Sequence, residues 1–161
     1  MGMEPNMKKA SIAYASVALF LSAAACQSQS DRLLEGQASL QGVTLSVSTR
    51  SAGSSGLVMD ISIKNTGSRS VTLSFSASQA YDIQVKNGLG VVVWQWSHDK
   101  VFLQVVWNLE LAPGESRSYE EIWDLKGNSG SLVPSGVYSG KVYLTSYPSD
   151  PGLAAHFVVT L

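Results

Sequence analysis

The chain has 161 residues, 11 basic against 12 acidic side chains, a net charge of −1 and a single cysteine. That length suits one domain. The near-neutral balance with no basic run excludes nucleic acid as a partner, and the lone cysteine excludes an internal disulfide framework.

Met7-Lys8-Lys9 followed by "ASIAYASVALFLSAAA" has the layout of a secretory signal peptide over residues 1–25. The apolar run is too short and too alanine-rich for a permanent membrane span. Ala23-Ala24-Ala25-Cys26 resembles the lipobox of bacterial lipoproteins, with Ala23 at the place where that family usually has leucine. The resemblance implies export and a lipid on Cys26, which would hold the protein at the cell envelope. Gln27, rather than aspartate, favours the outer membrane, on its periplasmic side, in a Gram-negative cell. Ordinary cleavage at an A-x-A site, leaving a free Cys26, is the alternative. Loss of residues 1–25 removes Lys8, Lys9 and Glu4 and leaves 9 basic against 11 acidic residues. Residues 26–38 are polar and read as a tether, and residues 39–161 as the folded domain.

From residue 40 the chain alternates. "GLVMDISIKN" sets Leu57, Met59, Ile61 and Ile63 on one face and Asp60, Ser62 and Lys64 on the other. "SVTLSFSA" does the same with Val71, Leu73 and Phe75, and "LQVVWNLEL" with Leu103, Val105, Trp107, Leu109 and Leu111. A period of two marks half-buried strands. Nine are expected, over 40–49, 57–65, 70–76, 81–86, 91–97, 102–111, 116–124, 137–146 and 154–161. Glycine, proline, asparagine and serine clusters such as "KNGLG", "LAPGES" and "YPSDPG" punctuate them. Many short strands with regular turns predict an all-β, immunoglobulin-like antiparallel β-sandwich, probably best closed as two packed sheets to hide strand edges.

"WQWSHDK", residues 94–100, holds the residue types of a hydrolase triad. Working triads converge from distant sequence positions. Adjacent residues on an extended chain point to alternating sides, so Ser97, His98 and Asp99 cannot converge. "SHDK" reads instead as a hairpin tip between strands 91–97 and 102–111. His156 stands alone on the last strand, and the aspartates are scattered, so neither a metal nor a cofactor site is expected. No glycine-rich phosphate loop is present, and the chain is expected not to be an enzyme. Trp94 and Trp96 share a face of a strand that is apolar on both sides. This favours a central strand with tryptophans in the core over an exposed platform for a glycan or peptide.

The order of these residues resembles the BsuPI-type intracellular proteinase inhibitor domain. The resemblance runs through Phe75, Ser78, Gln79, Tyr81 and Asp82, then Trp94, Trp96 and Ser97, then Phe102 and Gln104, Pro113 and Gly114, and Trp123 and Asp124. It implies a β-sandwich that binds and inhibits a subtilisin-type serine protease, with these residues as determinants of the fold. As loops to meet the partner, the sequence offers Ser97, His98, Asp99 and Lys100, and Pro148, Asp150 and Pro151, whose prolines limit unbound conformations. The open alternative is an immunoglobulin-like adhesion or assembly module that binds an envelope protein or glycan without inhibition. A monomer is expected.

Overall fold

The computed structural model describes residues 36–40, 42–147 and 153–161. Among them are ten strands and one short 3-10 turn at Gly53–Ser55. The strands are β1 (Gly36–Leu40), β2 (Val43–Ser51), β3 (Leu57–Asn65), β4 (Val71–Phe75), β5 (Tyr81–Lys86), β6 (Val92–Gln95), β7 (Trp107–Leu111), β8 (Ser116–Trp123), β9 (Val137–Leu144) and β10 (Ala154–Thr160). Every pairing is antiparallel. The order in one sheet is β1-β2-β3-β8 and in the other β10-β9-β5-β6, with β4 and β7 forming a separate ribbon. Pairing of β3 with β8 and of β5 with β9 is the pattern of an immunoglobulin-type sandwich.

The alternation seen in the sequence is what closes the core. Leu45, Val47, Met59, Ile61, Ile63 and Trp123 from one sheet meet Ile83, Val85, Val142 and Phe157 from the other in one cluster. Such interdigitated inner faces bury most of the apolar area that stabilises a sandwich. Two glycines answer to geometry. Gly114, at φ +80°, makes the turn from β7 to β8, where its amide bonds the Asn65 carbonyl at 2.9 Å. Gly140 on β9 lies under the Phe157 ring, and a Cβ there would stand 2.0 Å from a ring carbon.

Strands β3 and β5 begin and end where the alternation places them. Other expectations are corrected. The strand expected over 102–111 is confined to Trp107–Leu111, and residues 101–106 run irregularly, because Leu103 bonds Ser78 and not a neighbouring strand. Hence "SHDK" is not a hairpin tip. It leads from β6, paired with β5, across to β7, paired with β4. Strand β6 is an edge strand, not a central one. Its outer side is closed by Asn128, whose amide bonds the Val93 carbonyl at 2.8 Å and whose side-chain oxygen accepts from Gln95 N–H at 2.9 Å. Strand β1 takes up residues at the end of the segment read as tether.

Gly140→Ala is expected to push the Phe157 ring from its seat and lower unfolding free energy by about 1–3 kcal/mol, read as a lower urea midpoint. An unchanged midpoint would show that the ring and strand yield without strain.

Candidate functional site

Asp82, on β5, is buried. Its carboxylate accepts five hydrogen bonds. Oδ1 receives the Ile83 amide at 2.8 Å and the Ser97 amide at 3.2 Å. Oδ2 receives Gln95 Nε2 at 2.7 Å, the Ser97 hydroxyl at 2.7 Å and the Tyr143 hydroxyl at 3.0 Å. All five donors are uncharged. A carboxylate taken from water is costly unless donors replace its hydration, and here they come from β5, β6, the following turn and β9. The Tyr143 hydroxyl is pushed up to about 12, first by burial and then by the charge of Asp82 beside it.

The turn after β6 is thereby fixed to the sheet. Within it, the His98 amide bonds the Gln95 carbonyl at 3.1 Å and the Lys100 amide bonds the Ser97 carbonyl at 3.2 Å. Ser97 spends its hydroxyl on Asp82, so only His98, Asp99 and Lys100 of the turn stand exposed. Neither Asp99 nor any other carboxylate hydrogen-bonds His98 among the described residues, and the Ser97 hydroxyl serves Asp82 and Gln95, not His98. The geometry offers no nucleophile–base pair.

Aromatic packing carries the same anchoring onward. Trp96 packs on Tyr81 at 4.9 Å and on Phe102 at 5.8 Å between ring centroids, with the Lys100 ammonium 4.6 Å over its ring. Tyr81 in turn packs on Tyr119 at 4.8 Å, and its hydroxyl donates to Glu121, both on β8 in the other sheet. Burial first, then that bond to Glu121, pushes the Tyr81 hydroxyl far above the usual phenol range. Trp94 stacks on the fully buried Trp123 at 5.9 Å. The tryptophans of β6 therefore pack on the core, half-buried, from an edge strand.

Beyond β8, Trp123 donates its indole N–H to the Lys126 carbonyl at 2.7 Å while Leu125 turns the chain at φ 62°. Asp124 pairs with Lys126 at 2.8 Å, and the lysine's hydrogen bonds hold its carboxyl below the usual range. Between this segment and the turn lies a shallow cleft of about 200 Å³, walled by Trp94, His98, Asp99, Asp124 and Asn128.

The structure thus brings Tyr81, Asp82, Trp96, Ser97 and Phe102 into one cluster, and Trp94, Trp123 and Asp124 into the adjoining one. Gly114 stays with the β7–β8 turn. Gln104 is exposed and makes no hydrogen bond among the described residues. Cys26, Pro148, Asp150 and Pro151 lie outside the described residues. Sequence reasoning missed Tyr143 and Gln95 as partners of Asp82, and Asn65, which is fully buried and bonds the Arg69 and Leu111 carbonyls at 2.7 and 2.8 Å. Only the polarity of Asn65 and Gln95 within strands signalled them. Leu103 was read as a core-facing strand residue and is not one.

Among known proteins, the BsuPI family, described as intracellular proteinase inhibitor, matches residues 43–148. No curated protein matches the chain. Among solved structures, a β-glucuronidase of Bacteroides uniformis is similar at 12% identity and a TM-score of 0.35, over 74% of this chain and 12% of that one. The chain thus spans about an eighth of that enzyme's length, and so weak a likeness bears on nothing further.

Asp82→Ala is expected to lower unfolding free energy by about 3 kcal/mol, because it strands three side-chain donors at a buried point. Asp82→Asn, which keeps one acceptor, should lose less. Equal urea midpoints for wild type and Asp82→Ala would contradict this role.

Proposed function

The chain belongs to the BsuPI family of intracellular proteinase inhibitors, and from that premise we propose that it binds and inhibits a serine protease of the subtilisin type, carried at the cell envelope by a lipid on Cys26. The observation that supports this reading is the family match over residues 43–148, which takes in Asp82, the turn fixed to it and the loop that follows. An inhibitor works by binding without turnover, so it needs a surface whose shape is set before the partner arrives. The Asp82 hydrogen bonds and the Trp96–Tyr81 contact supply such rigidity without any disulfide.

The lipid anchor rests on the sequence alone. Lys8-Lys9, the apolar run and Cys26 lead outward, so the protease partner of this member lies in the envelope or outside the cell.

The purified protein, kept in detergent, should abolish peptide hydrolysis by a subtilisin-type protease near one equivalent. Undiminished hydrolysis by a panel of such proteases at micromolar inhibitor would overturn the reading. For the anchor, cells fed labelled palmitate should label the wild type and not Cys26→Ser. Equal labelling of both would remove Cys26 as the attachment point.

A further inference from the structure

Residues 101–106 read "VFLQVV" and carry no ionisable group. Four of their aliphatic side chains face solvent: Val101 is 96% exposed, Val106 77%, Leu103 72% and Val105 46%. Soluble proteins seldom leave so dense an apolar run uncovered unless something binds it.

The segment is not slack chain. Leu103 N–H donates to Ser78 Oγ at 3.0 Å, and its carbonyl accepts the Ser78 amide at 2.9 Å and the Val105 amide at 3.1 Å. Phe102 rests on Trp96 before it. After it, Trp107 stacks on Phe75 at 4.4 Å and gives its indole N–H to the Ala77 carbonyl at 2.7 Å. The middle and both flanks are tied down while the aliphatic groups point outward. Binding through such a loop needs little further ordering.

We propose that Val101–Val106 is the loop that meets the protease, with Val101, Leu103 and Val106 seated in the apolar pockets of its substrate cleft. The proposal rests on the inhibitor reading above, since an uncharged aliphatic loop fits the pockets that receive apolar peptide side chains. The loop enters by side chains and not as a substrate mimic. A scissile carbonyl must turn its oxygen to the protease's oxyanion donors, whereas the Leu103 carbonyl oxygen is already held by two amides of its own chain. The Leu103–Gln104 bond therefore stays uncut in the complex.

The test titrates a protease that the wild-type protein inhibits with Val101→Asp, Leu103→Asp and Val106→Asp, and with Leu132→Asp, an equally exposed leucine on the 125–133 segment, as control. Each loop variant should weaken inhibition about 100-fold at an unchanged urea midpoint, while Leu132→Asp stays within about threefold. Should Leu103→Asp unfold, Val101→Asp, the more exposed position, decides. If the wild type inhibits and the loop variants inhibit equally well, the loop is not the contact although the inhibitor reading survives. If the wild type inhibits no protease in the panel, both fall. Mass spectrometry of inhibitor recovered from the complex should show an intact chain, and cleavage between Leu103 and Gln104 would overturn the side-chain mode.

Discussion

The structure turns on one buried carboxylate. Asp82 sits inside the sandwich edge with five donors around it and no cation among them. Each donor alone contributes modestly, but removing their shared acceptor leaves several of them unpaired at once. That asymmetry binds β5, β6, the turn after β6 and β9 into one unit. It also decides what Ser97 is for: a hydroxyl fixed by a buried aspartate holds a turn in place and is not available as a nucleophile.

From that point the constraint spreads in two directions. Across the sheets, Trp96, Tyr81 and Tyr119 pack in series, and the Tyr81 hydroxyl reaches Glu121, so β6 is fastened to β8 through β5. Along the chain, the turn hands over to Phe102 under Trp96 and then to Leu103 on Ser78. A segment without regular secondary structure is therefore positioned nearly as firmly as a strand. Its exposed aliphatic groups gain meaning from that firmness, because a mobile apolar loop would lose ordering entropy on every encounter.

Much of the fold was legible in the sequence because burial on one face of a strand imposes a period of two. It located β3 and β5 to the residue, and the turn chemistry of "KNGLG" and "LAPGES" marked the bends between strands. The same period misled at Leu103 and Val105, which alternate as a strand would but alternate toward solvent. Periodicity tells that side chains face opposite ways and does not say which way is inward. Nor does it name the neighbour across the ladder, so β6 was taken as central and its connection to β7 as a hairpin. Both errors come from contacts distant in sequence, Ser97 with Asp82, Leu103 with Ser78 and Asn128 with β6, which no local pattern encodes. The apparent Ser-His-Asp triad was set aside correctly from spacing, while the partner that Ser97 does have lies 15 residues upstream.

Amide hydrogen exchange at Ser97 tests most directly whether Asp82 holds the turn. Ser97 has left strand β6, and its N–H bonds only the Asp82 carboxylate among the described residues. Exchange as slow as that of the paired amides of β5 is the expected result. Exchange as fast as in an unstructured chain would contradict it, for the turn would then open freely and the loop beyond it would have no fixed shape to offer a partner.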